Sequence, residues 1–153
     1  MSQAQLYHDS IIAEARASHG AGRLSGPDRS LTCDNPLCGD RVTLDLALAD
    51  GRVAAVAQTT RGCLLTQAAA SLLARHAVGC DVATARRTLA ELQRLLQDGA
   101  AAPGWPGLAM FAPVAAVRSR HECVLLPFRA LERMLAADQA AKGQLATDQT
   151  ASG

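Results

Sequence analysis

Residues 42–58 read VTLDLALADGRVAAVAQ, and this stretch decides the fold class. Val42, Leu44, Leu46 and Leu48 alternate with Thr43, Asp45 and Ala47, the two-residue period of a half-buried strand. Asp50-Gly51 follows, the strongest short-range signal for a hairpin turn, and Arg52 to Gln58 then reads as the returning strand. An antiparallel hairpin therefore stands near the middle of the chain.

Outward from the hairpin the apolar period lengthens. Leu64/Leu65, Ala68/Ala69 and Leu72/Leu73 form one helical face that ends near Gly79. Asp81 can cap a further helix with Val82, Ala85, Leu89, Leu92 and Leu96 on its apolar side, stopping near Gly99. Residues 99–117 are rich in Ala, Pro and Gly around Trp105 and read as an irregular insertion. A last helix is predicted to open near Cys123 or Val124, with Pro127 in its first turn and Phe128, Leu131 and Leu135 buried. On the other side of the hairpin, residues from about 4 to 18 carry the spacing of an amphipathic helix, followed by a glycine-rich loop with Gly20, Gly22, Gly26 and Pro27. Strands first and helices after predict an α+β architecture, a small antiparallel β-sheet packed against several helices. Residues 1–137 are expected to form one domain, and the polar stretch 138–153 a disordered tail.

The chain has 153 residues, enough for one core, and 49% hydrophobic against 19% charged residues excludes wholesale disorder. A formal net charge of +1 supplies no chain-wide field toward nucleic acid or a membrane surface. The opening Met-Ser-Gln-Ala-Gln-Leu-Tyr-His lacks the basic start and apolar run of a signal peptide, so a cytoplasmic setting is expected. There the five cysteines stay reduced, as buried small residues, metal ligands or nucleophiles.

Three of these cysteines fall at the ends of elements. Cys38 lies in Asn35-Pro36-Leu37-Cys38-Gly39-Asp40, a turn entering the first hairpin strand. Cys63 sits at the start of a helix, where free N–H groups favour a thiolate, and Cys123 opens the last helix with the same benefit. Asp40, two residues after Cys38, would project to the same side of an extended strand. Three thiolates and one carboxylate suit tetrahedral zinc or one edge of an iron–sulfur cluster, the oxygen being the weaker corner for a soft centre. Arg41, Arg61 and Arg120 stand close enough in sequence to offset the negative charge. Spacing alone leaves three readings open: ordinary buried cysteines, a purely structural zinc site, or transient metal and sulfur chemistry.

The residues also carry a family resemblance. Cys-Asp-Asn-Pro-Leu-Cys-Gly-Asp-Arg-Val at 33–42 resembles the signature of the U-type iron–sulfur cluster assembly scaffolds, the fold of IscU, SufU and the NifU N-terminal domain. Arg-Gly-Cys-Leu-Leu-Thr-Gln-Ala-Ala-Ala-Ser at 61–71 is similar to their second motif, and Arg-His-Glu-Cys-Val-Leu-Leu-Pro-Phe-Arg-Ala-Leu at 120–131 to their third. The opening Leu-Tyr-His-Asp-Ser-Ile-Ile resembles the family's first helix, and the likeness runs from about residue 6 to 135. The long stretch between Cys63 and Cys123, and Glu122 where the IscU branch has histidine, lean toward the SufU-like branch. The usual Asn-Pro-Arg after the first helix is replaced by Ala17-Ser18-His19-Gly20, which would alter a partner surface there.

The resemblance implies a SufE/NifU-like sandwich with Cys38, Asp40, Cys63 and Cys123 as ligands, and Arg61 and Arg120 behind them. It implies zinc or iron and a transient [2Fe-2S] cluster as cofactors. The implied partners are a SufS-like cysteine desulfurase and downstream acceptor proteins, with no nucleic acid and no membrane. Cys38, on the turn, is the persulfide acceptor candidate. A scaffold, a zinc-dependent sulfurtransferase and an adaptor with a structural zinc remain in competition, a sulfur acceptor or scaffold rather than a classical enzyme. Cys33 and Cys80 fall outside the ligand set and read as structural, His121 as a surface residue, and Glu122 as a solvated first-turn carboxylate. Ser71, on a helix with no histidine base at a telling distance, reads as a packing residue.

Overall fold

A computed structural model describes residues 2–151. Its backbone orders α1 (Gln3–Ala17), β1 (Arg29–Asn35), β2 (Asp40–Ala49), β3 (Arg52–Arg61), α2 (Leu64–His76), α3 (Val82–Asp98) and α4 (His121–Ala151). The three strands form one antiparallel sheet in the order β1-β2-β3. The architecture is α+β, as the strand-then-helix order predicts. The hairpin turns as expected: Asp50 and Gly51 both take positive φ, 54° and 76°, the backbone a tight two-residue connection needs. A one-residue register shift between Ala47 and Leu48 leaves Ala54 of β3 as the extra residue of a bulge just after that turn.

Strand β1 is absent from the sequence reading. Its residues, Arg-Ser-Leu-Thr-Cys-Asp-Asn, lack an apolar alternation over most of their length, and only Cys33 and Asn35 are buried. Pairing along β2, from Arg29 opposite Leu46 to Asn35 opposite Asp40, makes it a strand where its side chains alone do not. This register sets Asn35 directly across from Asp40, with the turn that carries Cys38 between them.

One face of the sheet holds Val42, Leu44 and Leu46, all fully buried, with Leu72 and Leu73 of α2 and Phe128 and Leu131 of α4 in the same core. The opposite face of β2, which simple alternation leaves to solvent, is covered at its centre. Asp45 is 1% exposed beneath the loop after α1. Its carboxylate accepts from Arg23 Nε at 2.7 Å, Ser30 Oγ at 2.6 Å and the Leu24 N–H at 3.1 Å. A buried carboxylate is tolerated only when so many donors replace water.

The region after α3 is likewise more ordered than its composition suggests. Residues Leu108–Ala116 wind into a 3-10 helix that buries Leu108, Met110, Phe111 and Val114. Trp105 packs between His76 and Phe128, ring centroids 6.0 and 5.9 Å away. Helix α4 begins at His121, two residues before the predicted start, so Pro127 falls in its second turn. Having no N–H, Pro127 cannot bond back to the Cys123 carbonyl. The helix also continues past Ala137, where the sequence reading ends the domain; Ala, Gln and Lys there are good helix formers, and Asp138 pairs with Arg29 at 3.6 Å and Lys142 at 3.4 Å. The tail expected to be disordered is therefore helical backbone as far as Ala151, and its last two residues lie outside the described ones.

The hydrogen bond from Arg23 holds the Asp45 carboxyl down from an ordinary 3.8 to about 2. A depressed carboxyl stabilises the fold above its unfolded value and loses that contribution as pH falls toward its folded value. Asp45→Asn should therefore cost on the order of 2 kcal/mol near neutral pH. In urea denaturation across a pH series the difference should shrink below about pH 4. A difference constant from pH 7 to pH 2 would contradict this role.

Candidate metal centre

Four segments meet at one end of the sheet: the β1–β2 turn, the start of β2, the start of α2 and the first turn of α4. Cys38 sits on the exposed turn, made possible by Gly39 in the left-handed region, φ 72°. Asp40, the first residue of β2, is 2% exposed. Cys63 is the N-cap residue of α2, and Cys123, fully buried, is the third residue of α4.

Cys38 Sγ lies 3.3 Å from Cys123 Sγ and 3.1 Å from Asp40 Oδ2. Ligand atoms of Cys38, Asp40 and Cys123 all fall within 4.8 Å of one another. Cys63 Sγ stands just outside this trio, 3.9 Å from Asp40 Oδ2 and 3.4 Å from Thr66 Oγ1. Tetrahedral thiolates on zinc, with bonds of about 2.3 Å, are separated by roughly 3.8 Å. The soft donor set and its spacing thus fit a single metal ion or the edge of a cluster. Cys38 and Asp40 do meet, through the turn and its glycine rather than along an extended strand.

Asp40 is fastened as well as buried. Its Oδ1 accepts the Cys63 N–H at 3.0 Å and its Oδ2 accepts from Thr66 Oγ1 at 2.8 Å. Burial pushes its carboxyl up, but hydrogen bonds from Cys123, Cys38, Thr66 and the Cys63 N–H outweigh it and leave the group below the ordinary range. Burial, followed by the hydrogen bonds to Asp40 and Cys38, drives the Cys123 thiol well above its ordinary value. Without a cation this cluster keeps a proton on Cys123; a metal would displace it.

The arginines divide. Arg120, beside the Cys123 thiol and facing the charge of Cys63 and Cys38, is held above the ordinary guanidinium range. Arg41 does not serve the site. It is exposed and forked to Asp34 at 2.7 Å, since neighbouring residues of a strand point to opposite faces. Arg61 ends β3 opposite Arg41, and among the described residues no hydrogen bond ties it to the thiols.

The remaining residues lie apart. Glu122 is drawn to Arg129, with contacts of 3.0 and 3.1 Å, and His121 Nε2 lies 3.0 and 3.2 Å from the Val114 and Ala115 carbonyls. His121 is thus part of the packing beneath the 3-10 segment rather than a surface residue. Cys33 is buried, with Arg133 Nη1 3.7 Å from its sulfur, and burial pushes the Cys80 thiol up to about 11. Ser71 is fully buried, donating to Glu14 Oε2 at 2.7 Å and accepting the His19 N–H at 2.8 Å. Sequence reasoning passed over Asn35, Gly62 and Thr66, all of which touch the cluster. The signals were present: Asn before Pro marks a side-chain-closed turn, and Thr66 lies one helical turn beyond Cys63.

The NifU-like N-terminal domain family matches residues 6–104, and the chain belongs to it. That span includes Cys38, Asp40 and Cys63 and ends before Cys123. The iron–sulfur cluster assembly scaffold protein IscU of Streptococcus pyogenes serotype M1 is 26% identical over 147 residues, covering 94% of this chain and 90% of its own. The crystal structure of an N-terminal nitrogen-fixing NifU-like protein from Brucella abortus superposes with a TM-score of 0.80 at 30% identity, over 85% of this chain and 92% of that one. The FiSufU structure of Fervidobacterium islandicum AW-1, described as a candidate cluster scaffold of the SUF system, shares the fold with a TM-score of 0.77 at 20% identity, over 88% and 99% of the chains. No helix among the described residues is long and apolar enough to cross a membrane.

Gly62 has no room for a side chain: a Cβ there would collide with Asp40 Oδ1 and stand 2.8 Å from its Cγ. Gly62→Ala should displace the carboxylate, destabilise the fold by about 1–3 kcal/mol and lower zinc affinity in a chelator competition. Unchanged affinity would detach Asp40 from metal binding. Glu122→Ala, in the same titration, should bind zinc as the parent chain does, and a loss larger than that of Asp40→Ala would make Glu122 the ligand.

Proposed function

We propose that this protein assembles iron–sulfur clusters, holding iron or a nascent [2Fe-2S] cluster as cargo on Cys38, Cys63, Cys123 and Asp40 and accepting sulfur from a cysteine desulfurase. The single observation that carries this reading is the convergence of Cys38, Cys123 and Asp40 on one point, with ligand atoms within 4.8 Å. Family membership and the likeness to the streptococcal scaffold support the same reading.

The positions of the thiols suggest a division of labour. Cys38 is exposed on its turn, whereas Cys123 is fully buried, so an incoming persulfide reaches Cys38 first. Its thiolate attacks the outer sulfur of the desulfurase persulfide; the sulfur–sulfur bond breaks, the desulfurase thiolate leaves, and the persulfide now stands on Cys38. No oxidant is consumed. Reduction of that sulfane sulfur to sulfide takes two electrons from an external donor protein. Arg120, beside the thiols, offsets charge while cargo is held. Asp40 contributes the one hard oxygen of the set, a weaker partner for a soft cluster and the corner at which cargo is released.

A second reading is favoured by the same donor set. Three thiolates and a carboxylate also suit resident zinc, with Cys38 relaying sulfur and no cluster built. The desulfurase in either case is of the SufS-like kind, and the downstream partners are proteins that receive the cluster or the sulfur.

Metal analysis of the purified chain, followed by anaerobic reconstitution with iron, sulfide and a desulfurase, separates the two. A visible cluster chromophore is expected for the scaffold; tight zinc with desulfurase stimulation and no chromophore would favour the relay, and neither would sink both. Asp40→Ala should slow transfer of a reconstituted cluster to an acceptor apoprotein, and unchanged or faster release would count against the labile corner. The pair Cys33→Ser and Cys80→Ser should leave metal stoichiometry intact.

A further inference from the structure

Asn35 closes β1 and is 5% exposed. Its Oδ1 accepts the Leu37 N–H at 3.2 Å, while the Gly39 N–H bonds the Asn35 carbonyl at 2.8 Å, so this residue frames the turn that carries Cys38. The first of these bonds also orients the amide: a backbone N–H must face the carbonyl oxygen, which leaves the NH₂ end pointing the other way. That end meets sulfur. Asn35 Nδ2 stands 2.8 Å from Cys38 Sγ and 4.0 Å from Cys123 Sγ.

The groups around the thiols make this donor distinctive. Asp40 can only accept, and a cysteine S–H stops donating once it becomes a metal ligand. Thr66 Oγ1 already donates to Asp40. Among the described residues, Asn35 and Arg120 are the side chains left to donate to the ligand sulfurs, and Arg120 is exposed whereas Asn35 is enclosed. A neutral donor in a desolvated pocket disperses thiolate charge without adding a cation, and it holds the sulfur in one direction.

We propose that Asn35 is a positioning residue of this centre, its amide N–H aiming the sulfurs of Cys38 and Cys123 and drawing off their charge when a metal is bound. The inference rests on the reading of those thiols as ligands. It also gives Asn35 two separable duties, the turn through Oδ1 and the sulfurs through Nδ2.

Two variants separate them. Asn35→Asp keeps an acceptor for Leu37 and removes the donor; Asn35→Ser keeps a shorter, neutral acceptor for the turn and cannot reach the sulfurs. Cobalt(II) serves as the probe, read through its thiolate-to-metal charge-transfer band, with urea denaturation of the metal-free chain alongside. A hydrogen bond lowers the energy of the sulfur lone pair, so its loss moves the band to longer wavelength. Both variants should show that red shift, and Asn35→Ser, which adds no charge, should keep metal-free stability close to the parent while weakening cobalt affinity roughly 10-fold or more; Asn35→Asp buries a carboxylate and should lower metal-free stability as well. A band at the parental wavelength in both variants, whatever happens to affinity or stability, would reduce Asn35 to a turn residue and overturn the proposal. No charge-transfer band in the parent chain would remove the thiol ligands themselves, and this inference with them.

Discussion

A carboxylate buried at 2% exposure has few ways to remain charged, and Asp40 uses most of them at once. It takes the first free N–H of α2, the Thr66 hydroxyl and the Cys38 thiol. An unpaired charge in this position would cost several kcal/mol, so β2, α2 and the β1–β2 turn are obliged to meet there. Cys63, as N-cap, makes no capping hydrogen bond through its own side chain; the cap comes from Asp40, whose negative charge also suits the positive end of the helix. Gly62 follows from the same demand, since a side chain would occupy the carboxylate's place.

The cluster this creates is electrically unfinished. Cys123 is fully buried against a carboxylate and two other sulfurs, and its thiol is held far toward the protonated form. Arg120 supplies one facing positive charge from an exposed position, and Asn35 one neutral donor from an enclosed one. Neither balances three thiolates and a carboxylate. A divalent cation would offset half of that charge and Arg120 part of the remainder, which is the physical reason this donor set fits a bound cation. Exposure of Cys38 beside a buried Cys123 gives that place an entrance.

The rest of the fold serves to keep these ends in register. Antiparallel pairing sets Asn35 opposite Asp40, and α4 packs across β1 and β2 with Phe128 and Leu131 in the core, so Cys123 is carried to the same corner. The 3-10 segment fills the space beside α3 and α4 with Leu108 and Phe111, and Trp105 just before it packs on Phe128. Its accommodation of His121 fixes where α4 starts, two residues earlier than periodicity alone suggests.

Local rules were enough for much of this. The hairpin is written in the alternation from Val42 to Leu48 and in Asp50-Gly51, and α3 in the Asp81 cap and the Gly99 stop, because a turn and a cap depend only on neighbouring residues. The ligand candidates Cys38, Asp40, Cys63 and Cys123 were legible as chemistry at element ends, and their motifs carried the family. What local rules lack is any term for contacts across the chain. Strand β1 exists because β2 lies beside it, and Asp45 is buried because a loop 22 residues earlier folds over it. Arg41 and Arg120 look equally close to the candidate ligands in sequence, yet strand pleat turns one to Asp34 while the start of α4 turns the other to the thiols. The sequence by itself determined which groups could bind a soft metal; the tertiary structure alone decided which of them face one another, because only burial and pairing choose a side chain's direction.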